Sequence, residues 1–253
     1  MLANGVELPQ EGPIINRLVL WNIDLTLMDV ARISREAYAE AFRRVTGRPL
    51  VALPQVAGRT DSEIFFESLA LNDAELPAGQ ELLARYAAEL AETFGARREL
   101  LTQKGRLLPG AAAAVRATAA LPGVIQSVLT GTIRPNAIAK LTAFGLLDYF
   151  DLDVGGYGAD VYPKGSLLLN CRTQAEEKYR TQIPVGSIVY LADSDRDARA
   201  ARIAGVPCIA VASGRSTASD LTAAGANLVL ADLSDTAGVA AAVDRLTQVG
   251  AGR

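Results

Sequence analysis

Four short segments carry residue types suited to handling a phosphate group. The first is Asn22-Ile-Asp24-Leu-Thr26. The second, Leu129-Thr130-Gly131, closes an apolar run with a hydroxyl and a glycine whose backbone N–H groups can face phosphate oxygens. The third is Asp160-Val-Tyr-Pro-Lys164, which holds one of only four lysines in an arginine-dominated chain. The fourth, Ile188-Val-Tyr-Leu-Ala-Asp193-Ser-Asp-Arg-Asp197, runs from apolar residues into a cluster of acids. Carboxylates repel the phosphate they must approach, so a hard cation has to neutralise the cluster. Magnesium suits that task because it accepts a few carboxylates plus substrate oxygen and water. The lysine offers a point charge for developing phosphoryl charge, and the hydroxyl and N–H groups fix the remaining oxygens. Taken singly, each segment is ordinary. Asp24-x-Thr26 is a common turn, Thr130-Gly131 a strand-end loop, Lys164 a solvated charge, and Asp193–Asp197 a helix start with acids against the macrodipole. Their order and spacing after strand-like segments set them apart.

The elements that position these residues read as an α/β fold, a Rossmann-like parallel sheet with helices on both faces. Apolar runs bounded by turn chemistry recur at Leu18–Trp21, Val124–Leu129, Leu152–Val154, Ile188–Leu191, Cys208–Val211 and Leu228–Leu230. Between them lie stretches with helical spacing, such as Ala111–Ala120 and Ala137–Phe144. Strands alternating with helices predict a buried parallel sheet. Ligands of such sheets bind at the carboxyl ends of the strands. Asn22, Asp24, Thr130 and Asp193 all fall there. Residues 33–103 break the alternation and contain only helical patterns, at Ser34–Val45, Asp61–Ala70 and Gln80–Phe94. They are expected to form a helical cap inserted into a core made of residues 17–32 and 104–253, with a loose tail over residues 1–16. Ser34 followed by Glu36 predicts the start of the first cap helix. Leu108-Pro-Gly110 suits re-entry into the core. Trp21, Tyr157 and Tyr162 are read as core packing or loop cover.

With 253 residues, half of them apolar and 21% charged, the chain can bury a core and carry a second, smaller unit. A net charge of −3 with mixed signs gives no nucleic-acid footprint, and no apolar run is long enough for a membrane span. The expected setting is cytoplasmic, with a small phosphorylated metabolite as ligand and a monomer or homodimer as the assembly. Cys171 and Cys208 are too few for a disulfide framework. The absence of histidine excludes imidazole zinc sites and His-based triads, leaving carboxylates, Lys or Tyr for proton transfer.

The four segments together resemble the motifs of the haloacid dehalogenase (HAD) superfamily, in the manner of its phosphoglycolate-phosphatase-like members. The resemblance spans roughly Leu18 to Asp235. It implies a magnesium-dependent phosphatase that works through an aspartyl-phosphate intermediate. Asn22 takes the nucleophile position, Asp24 that of the acid/base, Thr130 and Gly131 that of the phosphate-binding loop, and Lys164 the third-motif cation. The metal would be held by residue 22, the Asp24 backbone carbonyl, Asp193 and Asp197. Gly58-Arg59-Thr60-Asp61 resembles the family's cap loop, which contacts substrate. Two departures stand out. Residue 22 is an amide where the family has its attacking acid, and Leu25 is bulky where family members often place a small or polar residue. An amide is neutral and a poor nucleophile, so turnover should fall by several orders of magnitude. Magnesium affinity should fall as well, while phosphate binding survives or improves. The favoured reading is an engineered or isolated change in an active phosphatase scaffold. A sugar phosphomutase of the same family and a non-catalytic phosphometabolite-binding pseudoenzyme are the alternatives.

Overall fold

The structure, a computed structural model, describes residues 16–74, 79–159 and 163–248. Tyr162 and most of the expected tail lie outside these residues, as do Asp160–Tyr162 of the third segment. Strand β1 (Arg17–Trp21) opens the core, and a short β2 (Met28–Asp29) follows. Helices α1 (Ala31–Thr46), α2 (Asp61–Leu71), α3 (Gln80–Gly95) and α4 (Leu100–Lys104) come next, before β3 (Arg106–Leu107). The remainder alternates: α5 (Ala111–Ala119), β4 (Val124–Val128), α6 (Arg134–Ala143), α7 (Lys164–Tyr179), β5 (Ile188–Ala192) and α8 (Asp195–Ala204). Strand β6 (Cys208–Val211), α9 (Ala218–Ala224), β7 (Leu228–Leu230) and α10 (Thr236–Gln248) complete it.

The main sheet has the order β4-β1-β5-β6-β7 with every pairing parallel. All five residues of β1 and all five of β5 are buried, as strands covered on both faces must be. Period-two alternation sends Val19, Trp21, Val189 and Leu191 into one core and Leu18, Leu20, Ile188 and Tyr190 into the other. From β1 the chain first builds outward to β4 and then returns to the far side of β1 as β5. That reversal opens a crevice at the carboxyl end of β1.

The helical segment α1–α4 leaves and rejoins the core through the antiparallel pair β2–β3, in which Met28 faces Leu107. Aromatic side chains pack its helices together, within the hydrophobic core that they share with one face of the sheet. Phe65 stacks on Tyr86 with ring centroids 3.9 Å apart, and Phe42 meets Phe65 edge-on. Two expectations need correction. Leu152–Val154 is a 3-10 turn and not a strand, because the Asp151 side chain accepts a hydrogen bond from Asp153 N and curls the backbone. Helix α1 starts at Ala31 and not at Ser34, since Asp29 Oδ1 accepts from Ala31 N and satisfies the helix end one turn earlier. Ser34 therefore lies inside the helix, and its buried hydroxyl has no hydrogen-bond partner among the described residues.

Candidate active site

Strand β1 ends at Trp21, and the chain keeps its ladder for one more step as Asn22 N donates to Leu191 O. On the other flank Leu129 N donates to Trp21 O, so the tips of β4, β1 and β5 meet around Asn22. The Asn22 amide nitrogen lies 2.8 Å from Asp24 O, 2.9 Å from Asp193 Oδ1 and 3.2 Å from Thr26 Oγ1. All three are acceptors, because the Thr26 hydroxyl spends its own hydrogen on Asp193 Oδ1 at 2.9 Å. The nitrogen end of the amide, not its oxygen, must face them. The loop beyond is tight. Leu25 has φ +58°, a left-handed backbone that a residue with a side chain seldom adopts. Its bulk lines the cleft.

Asp24 turns its carboxylate toward α6. Lys140 Nζ sits 2.8 Å and 2.6 Å from its two oxygens, and Thr132 Oγ1 donates to Oδ2 at 2.9 Å. Lys140 is buried and its ammonium also lies 5.4 Å from the centre of the Phe94 ring on α3. Neither Lys140 nor Thr132 belongs to the four motif segments. One signal was in the sequence: Lys140 stands three residues after Ala137 on the apolar stripe of a helix, where a cation needs a buried partner.

At the tip of β5 the two acids part company. Asp193 keeps Oδ1 toward Asn22 and Thr26. Burial, and then the neighbouring Asp197 charge, push its carboxyl up to about 7. Asp197 is fully buried and spends both oxygens within the protein. Oδ1 accepts from Lys164 Nζ at 2.7 Å and from the Tyr190 hydroxyl at 3.1 Å, and Oδ2 accepts from Ser194 Oγ at 2.5 Å. Ser194 caps α8 by accepting from Asp197 N. Lys164, the first residue of α7, is thus brought into the cleft by Asp197.

The cap-loop residues divide by role. Thr60 forms a capping box with Glu63 at the start of α2. Asp61 is buried and ties the helical segment to the core: Oδ1 accepts from the Tyr38 hydroxyl at 2.6 Å and Oδ2 from Ile133 N at 2.9 Å. Its own N–H donates to Gly131 O. Burial raises its carboxyl to about 6, against the lowering bonds from Tyr38 and Ile133 and the Lys140 charge. Arg59 lines the cleft and is ion-paired with Glu67. The approach is backbone to backbone. A Cβ on Gly131 would stand 1.9 Å from Arg59 O, and one on Gly158 would stand 1.7 Å from Gly131 O. Trp21 is core, bonded through Nε1 to Gln126, and Tyr157 covers a loop by donating to Leu152 O.

Between these parts lies a cleft of about 80 Å³, several times the roughly 10–15 Å³ that admits one water. Asn22, Thr130, Lys164 and Asp193 form its polar end, while Leu25, Val30, Val56 and Ile64 form an apolar wall. The Gly131 N–H has no partner among the described residues, and the Thr130 hydroxyl oxygen accepts only from Thr132 N. Hydroxyl, N–H and ammonium together suit a tetrahedral oxyanion.

The magnesium ion implied by the motifs does not fit these residues as they stand. A hydrogen-bond donor, the Asn22 amide, occupies the point on which Asp24 O, Asp193 and Thr26 converge. The Asp24 carboxylate is taken by Lys140, and Asp197 has no oxygen to spare. Among the described residues no group of three or more His, Cys, Asp or Glu side chains is placed to hold a metal. Among them, too, no helix is long and apolar enough to cross a membrane.

Comparison with solved structures gives close agreement in fold. A hydrolase from Pseudomonas syringae superimposes with a TM-score of 0.63 at 19% identity, covering 88% of this chain and 96% of its own. A predicted phosphoglycolate phosphatase from Haemophilus somnus gives 0.62 at 18% identity, covering 90% and 99%. An Asp-to-Asn mutant of CbbY from Rhodobacter sphaeroides, in complex with xylulose-1,5-bisphosphate, gives 0.57 at 23% identity, covering 87% and 96%. No curated protein sequence matches the chain. The family model of HAD-like hydrolases matches residues 171–236. That of the haloacid dehalogenase-like hydrolases matches residues 19–202. With more than half its length inside that second match, and the three strand tips of the cleft included, the chain belongs to the haloacid dehalogenase-like hydrolases.

Proposed function

We propose that the cleft binds the phosphate group of a small phosphorylated metabolite, in a phosphatase scaffold whose hydrolytic step is silenced at residue 22. The observation that carries this is the meeting of Thr130, Gly131 and Lys164 with Asn22 in one cleft. The phosphate would take hydrogen bonds from the Thr130 hydroxyl and the Gly131 N–H, and charge from Lys164. Helices α1–α4 act as the cap. The apolar wall built by Leu25, Val30, Val56 and Ile64 suits a short carbon skeleton and limits its size.

Phosphatases of this family generally use Mg2+. That ion belongs to the Asn22→Asp form, where a carboxylate at residue 22 would join Asp193 and the Asp24 carbonyl in holding it and would offset clustered negative charge. In that form an Asp oxygen attacks phosphorus as the ester P–O bond breaks, and Asp24, having first taken up a proton on its open, cleft-facing side, passes that proton to the departing alkoxide. Asp24 then removes a proton from the water that cleaves the aspartyl phosphate, releasing inorganic phosphate. With Asn22 the first step lacks its nucleophile, and the chain binds without turning over. The CbbY mutant is a parallel for this reading, since an Asp-to-Asn variant of a protein of this fold is found in complex with a sugar bisphosphate.

Phosphate release from a panel of small phosphate esters tests the proposal, comparing the chain with Asn22→Asp, each with and without magnesium. Hydrolysis by the Asp form alone, and only with magnesium, is expected. Silence of both forms would refute the silenced-phosphatase reading and leave a pure phosphate-binding protein.

A further inference from the structure

The polar end of the cleft contains more internal neutralisation than its motifs require. Two carboxylates line it and another, Asp197, lies buried behind it, and two ammonium groups answer two of the three: Lys140 on Asp24 and Lys164 on Asp197. The third, Asp193, is bridged to the Asp24 carbonyl by the Asn22 amide nitrogen, 2.9 Å from the one and 2.8 Å from the other. A carboxylate at residue 22 would set acceptor against acceptor at those distances and would need a cation between them. The amide sets a donor there instead. Lys140 supplies the complementary half. It is 2% exposed, chelates both Asp24 oxygens and holds Thr132 at 2.9 Å. A buried ammonium is tolerated only with such partners. Asn22 and Lys140 thus divide a divalent cation's work, the one joining strand tips and the other cancelling charge.

Resting on the phosphate-binding reading above, we infer that this chain binds its phosphate ligand without a divalent cation, with Asn22 and Lys140 acting as the cation's built-in replacement. On this inference Asn22 is matched to its surroundings and is not an isolated lesion. Lys140 is a positioning residue, since it reaches the ligand only through Asp24.

The test uses inorganic phosphate and magnesium chloride as probes on the full chain. Calorimetric titration with phosphate should give the same affinity in EDTA and in excess magnesium, within about threefold, and magnesium alone should leave the melting temperature unmoved. The Asn22→Asp variant should melt lower than the parent in EDTA and recover on adding magnesium. Phosphate binding that tightens more than about tenfold with magnesium, or a parent stabilised by magnesium alone, overturns the inference while sparing the phosphate site. An Asn22→Asp variant that folds but ignores magnesium overturns it too. Should that variant not fold, the two parent measurements still decide. Absence of phosphate binding in both buffers defeats the phosphate-binding reading itself, and this inference with it.

Discussion

Two lysines, one behind the cleft and one in its lining, hold two acids at nearly equal distance, 2.6 Å for Lys140–Asp24 and 2.7 Å for Lys164–Asp197, yet the pairs differ in kind. The Asp197 side chain is 0% exposed and also serves Tyr190 and Ser194, so the acid end of its pair is sealed while Lys164 still borders the cleft. The Asp24 side chain is 36% exposed and lines the cleft, so one side of its pair looks onto the cleft. A sealed acid fixes geometry, because it can find no other partner and so holds its lysine in place. A half-open pair sets charge at the place where a ligand arrives, and water or ligand can take over from either partner. The motif position of Lys164 thus serves the architecture as well as the cleft, while the unheralded Lys140 holds the partly exposed Asp24 carboxylate.

That contrast can be broken most directly at Asp197. Asp197→Ala strands the buried Lys164 ammonium, although the Tyr190 hydroxyl keeps Leu129 O and Ser194 keeps the residue 197 N–H, and should cost about 3–5 kcal/mol in urea unfolding. A loss below about 1 kcal/mol would mean the acid is not sealed. Next in size is a pH effect beside Lys140. Asp61 has a carboxyl raised from 3.8 to about 6. Between those values the folded state keeps a proton that the unfolded chain releases, so stability falls as pH rises through the window. The fall should be on the order of 2–3 kcal/mol. Asp61→Asn should flatten that slope when melting is followed from pH 4 to pH 6; an unchanged slope would place the titration elsewhere. Lys140→Met comes third. It should cost only about 1–2 kcal/mol in the same urea assay, because the one-third-exposed Asp24 can take up water in place of the ammonium. A cost equal to that of Asp197→Ala would erase the distinction between the pairs. Smallest is Leu25→Gly, which relieves the left-handed backbone but gives up a partly buried side chain, for a net change within about 1 kcal/mol. Its visible result should be acceptance of bulkier phosphate esters by the Asn22→Asp form.

Much of this was legible in the chain because strand-end chemistry is local. The segments around Asn22, Thr130 and Asp193 each follow a short buried strand, so their place at one sheet edge follows from the alternation of strands and helices. Lys164 likewise reaches the cleft that its position implied. The pairing of Asp24 with Lys140 was not legible, since it spans 116 residues and depends on how α6 lies against the α1–α4 segment. The division of labour between Asp193 and Asp197 was hidden for a similar reason. Four residues apart, both look like metal ligands, and only the burial of Tyr190 and Ser194 beside Asp197 reveals which one is enclosed. At Leu152–Val154 local side-chain capping overrode an apolar run, and in Thr60 a helix cap accounts for a residue that motif matching would assign to substrate.

Trp21 immediately precedes Asn22, is fully shielded from solvent, and is the only tryptophan in the chain. Its indole is anchored to Gln126 at 2.9 Å. Ultraviolet emission excited at the indole band therefore comes from one place, the strand tip beneath the cleft, with no second source to dilute it. Filling of the cleft, or its collapse in a variant, can be followed by light from the residue next door, without label or cofactor.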